Sequence, residues 1–438
     1  MRHLHIGVFS ELGNGHIYPL LPLCAELVSR GHRITYGTSE HFAPYILDSG
    51  AIPVIFRGKS PSLELRAQLQ TSLSSPANGS DWWLAMSAFQ SYRFDFTNEI
   101  LPQLQQFYID DKPDLILYDP SMFVGRILAR QFERPAIQVS PCFAQYRGFL
   151  CREEGTPTNP APALAYANEL DSFLRMHGVE TPNNLWHIED LNIHLIPREF
   201  QYGADYFDER FCFVGALLNR KFERRWINRS EGKPIVLVSD LSGLPGAWEI
   251  SEGFFKIFIE ALADVDCHCI LSIGAKGDST GLGSLPPNVE INRTVSHLEI
   301  LPSTAISVCH AGMLSTLEAL YNGVPVLALP LHQDTEEIAY RIVELGAGIR
   351  LSRQTLSAET IKSNIICMLD DPLLRQRTKD ISRLFRSSGG AKLAADRIEE
   401  FAWISDPNGN SGGVADSPRR RGIRFSLDRR SRSHHIDD

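Results

Sequence analysis

The sequence has no apolar run approaching the roughly 20 residues needed to span a bilayer. No charged-then-apolar leader precedes Leu4, so a cytoplasmic protein without a transmembrane segment is expected. It has no Cys-x-x-Cys pair among its eight cysteines (24, 142, 151, 212, 267, 269, 309, 367), which sets aside zinc-ribbon and dithiol chemistry. Cys267-His-Cys269 sits in an alternating apolar run with no second ligand pair. Scattered buried thiols in a reducing compartment are the expectation, with no metal site. Positive charge is in deficit, 43 Lys and Arg against 52 Asp and Glu, a net −9 that argues against a nucleic-acid partner. A third glycine is missing after Gly13-x-Gly15. The dinucleotide fingerprint is therefore incomplete, and a nicotinamide oxidoreductase is excluded.

What is present is strand–helix alternation along 438 residues, more than one hydrophobic core serves. Leu4–Phe9 reads as a first strand, Leu20–Arg30 as a helix with apolar residues at helical spacing, and Arg33–Gly37 as a second strand. The stretch 60–96 reads as irregular, with Trp82, Trp83, Phe89, Phe94 and Phe96 clustered. Strands at 114–119, 135–140, 192–197 and 211–215 complete a first domain, residues 1–215. Residues 216–233, rich in Arg, Lys, Asn and Glu, read as a linker. A second series of strands and helices runs over 234–387, and a closing helix over 388–404. The tail 405–438 carries seven Arg and five Asp with few large apolar residues and is expected to be disordered. The predicted class is α/β, two Rossmann-like domains facing each other across a cleft.

Two stretches carry chemistry. His16 comes after the first strand, at the carboxyl edge where open α/β sheets bind ligands. A helix N-terminus disfavours imidazolium, so the ring is expected to be neutral and able to accept a proton. Asp119 ends the strand 114–119 at the same edge, where an Asp is also an ordinary turn starter. The second stretch is His310-Ala-Gly-Met-Leu-Ser-Thr-Leu-Glu318, between a buried strand and a helix predicted from about Ser315 to Asn322. Amide groups at that helix start make an anion site. Gly312 permits close backbone approach, Ser315, Thr316 and His310 can hydrogen-bond a phosphate, and Glu318 can hold ribose hydroxyls. Ser315 with Glu318 three residues on also reads as a capping box.

His-x-Gly-x-x-Ser-Thr-x-Glu-Ala-Leu, then Gly-Val-Pro, Pro-x-x-x-Asp, Arg341 and Gly346-Ala-Gly348 resembles the donor-nucleotide signature of the UDP-glycosyltransferase family, glycosyltransferase family 1. The order of elements from Leu4 to about Phe401 is most similar to its macrolide-glycosyltransferase-like group. The resemblance implies the GT-B architecture, with Gly15-His-x-x-Pro19 as the catalytic-base motif and Asp119 as the partner of His16. It also implies a closing helix that packs back on the first domain, and an acceptor pocket bordered by Trp82, Phe89, Phe143 and Tyr146. Several positions depart from the family pattern. Leu314 replaces an Asn, Leu241-Ser242 stands for Gly-Ser, and Asp334-Thr335 stands for an acidic residue with Gln after it. Thr294-Val-Ser-His297 stands for Trp-x-Pro-Gln, which removes the indole and puts His297 in the place of the glutamine. The donor stays open between UDP-glucose, another UDP-sugar and a TDP-deoxysugar.

The expected activity is inverting transfer of a sugar from a nucleoside-diphosphate sugar to a hydroxyl of a hydrophobic small molecule such as a polyketide or macrolide. His16 is the base, and no cofactor or metal is needed. The one Asp-x-Asp triplet, Asp264-Val-Asp266, falls at the amino edge of the second sheet, away from the phosphates. A monomer or weak homodimer is expected. The alternative is a non-catalytic relative that binds a nucleotide or hydrophobic ligand and assists a partner enzyme.

Overall fold

The computed structural model describes residues 3–405 apart from 60, 63–64, 66–78, 146–160, 181–186, 219–225, 240–247, 275–276, 294, 332 and 353–354. Strand β1, His5–Phe9, has all five residues buried, as a parallel strand covered by helices on both faces must. Helices α1 (Asn14–Ile17) and α2 (Leu21–Ser29) come after it, joined by a 3₁₀ turn that contains Pro19. The helical path therefore starts ahead of the apolar periodicity, and His16 lies within its first turn. Next come β2 (Arg33–Thr38), α3 (Ala43–Asp48) and β3 (Ile52–Ile55).

Helix α4, Gly79–Phe107, takes in residues 79–96 of the stretch that reads as irregular in sequence. Its apolar stripe is interrupted by Gln90 and Thr97, both buried polar residues, so the helical period is masked. The first sheet is completed by β4 (Leu115–Tyr118), α5 (Phe123–Gln131), β5 (Ala136–Ser140), α6 (Ala161–Met176), β6 (Asn192–His194) and β7 (Phe211–Phe213). All pairs are parallel, in the order β3-β2-β1-β4-β5-β6-β7. The order reverses beside β1, so the loops after β1 and β4 diverge and leave a crevice at the strand ends. His16 lies just past β1 and Asp119 just past β4. Topology brings together two residues that are 103 positions apart.

The second domain repeats this plan. Strand β8 (Ile235–Ser239), helix α7 (Trp248–Leu262), β9 (His268–Ser272), β10 (Val289–Asn292) and the short helix α8 (His297–Ile300) lead to β11 (Thr304–Cys309). Then come α9 (Met313–Tyr321), β12 (Val326–Ala328), α10 (Gln333–Glu344), β13 (Gly348–Arg350), α11 (Ala358–Asp370), α12 (Pro372–Arg386) and α13 (Gly390–Ile404). The sheet order is β10-β9-β8-β11-β12-β13. Its switch point lies between β8 and β11, directly before the His310 stretch. A Cβ on Gly348 would come within 1.9 Å of the Val326 carbonyl oxygen, so only glycine fits where β13 joins β12.

Helix α13 returns to the first domain. Ala394, Ala395 and Ile398 are buried in the same apolar cluster as Leu23 and Leu27 of α2. Arg30 Nη1 donates to Asp396 at 2.6 Å and to Glu399 at 2.8 Å, and His32 Nε2 lies 2.9 Å from Glu399 Oε1. Among the described residues, no helix is long and apolar enough to cross a membrane.

Candidate active site

Asp119 is fixed by backbone on both sides. Its N–H donates to the Phe9 carbonyl at 2.8 Å, and its Oδ1 accepts from Ser121 N–H at 2.9 Å. The second oxygen, Oδ2, meets His16 Nδ1 at 2.5 Å. With Nδ1 donating to Asp119, Nε2 is the ring atom left to accept a proton. Burial alone would lower the pKa of the ring. The Asp119 carboxylate outweighs this by charge and by hydrogen bond and raises it to about 9, with Glu11 adding to the rise and Arg93 opposing it. The expectation of a neutral ring is corrected: a four-residue helix has a weak dipole, and the carboxylate in contact wins. Burial pushes the Asp119 carboxyl up, but its paired histidine more than reverses this and leaves it below the usual carboxylate range.

The second half of the site forms around α9. Its N-cap is Gly312, and no side chain caps it. The predicted capping box is absent because the helix starts two residues earlier than expected. Ser315 Oγ instead donates back to the Gly312 carbonyl at 3.1 Å. A Cβ on Gly312 would lie 2.6 Å from His310 Nε2, so glycine lets the ring lie across the helix start. Ala311, between them, holds φ at +59°, a left-handed conformation uncommon outside glycine. Glu318 Oε2 lies 3.1 Å from His297 Nδ1, and His297 Nε2 lies 3.2 Å from Ser239 Oγ. The carboxylate expected to meet ribose is thus already oriented by a histidine.

Two cavities meet at His16. One, of about 730 Å³, lies between the domains, with Gly13, Asn14 and His16 on one wall and His297, His310, Gly312, Ser315 and Glu318 on the other. The second, of about 490 Å³, runs from His16 across the carboxyl ends of β4, β5 and β6 to Phe211 at the start of β7. It is walled by Phe89, Phe123, Leu170 and Phe143, but also by Glu11, Arg93, Arg126, Gln138 and His194. His16, Phe143 and Asp334 line both. The polar groups of the second cavity are not announced by any motif in the sequence. Glu11, in the loop already singled out for His16, was the signal available.

Two expected donor residues point elsewhere. Thr316 is fully buried and does not line the cleft. With α9 starting at Met313, the residue after Ser315 is rotated by about 100° toward the sheet. Thr335 is buried, and its hydroxyl accepts from the Leu331 N–H at 2.9 Å, closing the start of α10. Ser242, Tyr146 and the side chain of Trp82 lie outside the described residues. Asp266 pairs with Lys233 at 3.1 Å, and neither it nor Asp264 lines these cavities. No group of three His, Cys, Asp or Glu among the described residues is placed to hold a metal ion.

Comparison with known proteins gives this geometry its context. A family model described as the erythromycin biosynthesis protein CIII-like C-terminal domain matches residues 256–388. The NDP-glycosyltransferase YjiC of Bacillus licheniformis is 33% identical over 406 residues, 92% of this chain and 98% of that one. The oleandomycin glycosyltransferase of Streptomyces antibioticus is 30% identical over 432 residues, 94% and 95% of the two chains. Among solved structures, the calicheamicin glycosyltransferase CalG4 matches with a TM-score of 0.75 and 31% identity, over 93% of this chain and 100% of that one. Such identity over more than nine-tenths of the chain places it in the macrolide-glycosyltransferase-like group of the UDP-glycosyltransferase family: it is a glycosyltransferase of GT-B fold.

Proposed function

We propose that the protein transfers a sugar from a nucleoside-diphosphate donor, UDP-glucose first among the candidates, to a hydroxyl of a hydrophobic small molecule with inversion at the anomeric carbon. One observation carries this reading: His16, held by Asp119, stands where the two cavities meet. The donor occupies the cleft between the domains, with its diphosphate at the start of α9 and its ribose against Glu318. The acceptor occupies the cavity of the first domain. The acceptor oxygen forms a bond to the anomeric carbon as the bond from that carbon to the diphosphate oxygen breaks. The hydroxyl proton passes to His16 Nε2, and Asp119 stabilises the imidazolium. Uncapped amide groups at Gly312–Ser315 stabilise the charge gathering on the departing diphosphate. The step as written uses no metal. The names of the relatives support the donor class and a natural-product acceptor.

A ring that binds a proton with a pKa of about 9 is mostly imidazolium at neutral pH. The reactive form then grows about tenfold for each pH unit up to that value. The test is His16→Ala, assayed for sugar transfer and, by calorimetry, for UDP binding. Transfer should fall by about 10²–10⁴-fold, the range of acid–base contributions, with UDP affinity unchanged. Equal loss of both would assign the histidine a structural role.

A second reading, a non-catalytic relative that binds a nucleotide and assists a partner, draws on Leu314 lining the cleft and on the buried hydroxyl of Thr335. A thermal-shift series with UDP-, TDP- and GDP-sugars separates the two. Stabilisation by a sugar nucleotide beyond that by its bare diphosphate supports transfer, and stabilisation no greater than that by the bare diphosphate supports the second reading.

A further inference from the structure

A second charged pair stands on the same cavity wall as His16, outside the His16–Asp119 hydrogen bond and acting on that ring through charge alone. Glu11 lies in the loop between β1 and α1, five positions before His16. Arg93 comes from α4 and donates through Nη2 to Glu11 Oε2 at 2.7 Å. Both side chains are mostly buried, with 21% of the Arg93 surface and 29% of the Glu11 surface exposed. The guanidinium also lies over the Phe89 ring, 4.3 Å from its centroid, and hydrogen-bonds Tyr166. Glu11, Arg93, Phe89, Tyr166 and His16 all line the first-domain cavity.

A tie between loop and helix is the simplest role for such a pair, but an ion pair half open to a cavity contributes little to stability. Its chemistry suits a ligand better. A carboxylate stripped of water by an entering apolar acceptor needs a cation beside it to offset the lost solvation. Arg93, itself locked by an aromatic face and a phenol, supplies that cation. Among the described residues, Arg93 is the one hydrogen-bond partner of Glu11's carboxylate, through Oε2. No donor among the described residues reaches Oε1, and the group complementary to that oxygen is a donor.

We propose that Glu11 is a specificity-determining residue: while His16 takes one hydroxyl of the acceptor, Glu11 takes a second hydroxyl close to it. Preferred acceptors are then catechols or vicinal diols. This deepens the transferase reading and rests on it for the role of His16.

Three flavones that differ at one position of the pendant ring serve as probes: apigenin with a lone phenol on that ring, luteolin with a catechol there, and chrysoeriol, in which the second of those hydroxyls is methylated. Affinity by calorimetry and sugar transfer are measured in parallel. The wild type should bind luteolin about tenfold or more tightly than the other two, the usual worth of a hydrogen bond to a charged group. Glu11→Gln should bring luteolin down to within about twofold of apigenin, which itself stays unchanged; a structural tie would instead weaken all three together. Should that variant not fold, chrysoeriol binding like apigenin to the wild-type protein still supports the assignment. Luteolin binding no better than apigenin, chrysoeriol binding like luteolin, or a preference that survives Glu11→Gln each overturns it. A preference in binding without transfer to any flavone would overturn the transferase reading and leave the Glu11 site standing.

Discussion

The two walls of the cleft solve opposite electrostatic problems. On the first-domain side, along the wall and in the cavity behind it, charged side chains are already matched within the chain: His16 with Asp119 and Glu11 with Arg93. On the second-domain wall, the proposed anion site is backbone at a helix start that no side chain caps. A proton that moves during each turnover needs a partner of adjustable charge. A diphosphate that arrives and leaves already charged needs fixed dipoles that cost no reorganisation. The two domains share one topology, and they differ in the loop and helix that leave the switch-point strand of each.

The sharpest break in that division is the loss of the Asp119 charge. Asp119→Asn should cut transfer above about pH 9, where the ring is neutral in both proteins, by roughly 10²-fold, toward the lower end of acid–base effects. It should also move the ascending limb of the pH–rate profile from about 9 to lower pH, because burial then dominates the ring. A limb that stays near 9 would show that Asp119 does not set the proton affinity of His16. The same shift fixes the sign for stability. The His16 pKa is raised above its unfolded value of about 6.5, so the pair's stabilisation is whole below that pH and fades as pH rises through about 9. The depressed Asp119 carboxyl sets the other edge, where the same stabilisation is lost as acid protonates it. Melting temperatures of wild type and Asp119→Asn should therefore converge above about pH 9.

The second effect, smaller, tests the opposite wall. Glu318→Ala should weaken UDP binding by about 1–3 kcal/mol, measured by calorimetry, as expected for hydrogen bonds to a charged group. Undiminished binding would remove Glu318 from the ribose site. His297, which lies beside it, would then be the residue to examine.

Much of this wall-by-wall division is legible in the sequence, and the part that is not has physical causes. Short apolar runs mark every strand at the centre of both sheets, because a parallel strand buried on both faces has no polar alternation to confuse it. The carboxyl-edge positions of His16 and Asp119 are equally legible, although their pairing needs the family resemblance. Rotation and contacts distant in sequence hide the rest. A helix start displaced by two residues is enough to turn Thr316 from the cleft into the core. Long α4, with Gln90 and Thr97 on its buried face, gives no clean period. Glu11 and Arg93 are 82 positions apart, and nothing local to either announces the other. The charge on His16 is misjudged from sequence for a related reason, since the helix dipole is visible locally and the carboxylate that overrides it comes from another strand.

The smallest effect asks whether backbone or side chain carries the anion site. Ser315 lines the cleft, but its hydroxyl already donates to the Gly312 carbonyl. If the amide groups of α9 hold the diphosphate, Ser315→Ala should cost UDP binding no more than about 1 kcal/mol, the net worth of one neutral hydrogen bond. That is less than the cost of Glu318→Ala, and calorimetry on the two variants side by side can rank them. The reverse order would move the anion site from the backbone to the hydroxyl. It would also erase the contrast between the walls, since the second domain would then rely on a side chain as the first does. The helix start is uncapped, the serine is turned back on its own turn, and Gly312 admits the His310 ring across it. All three favour the backbone.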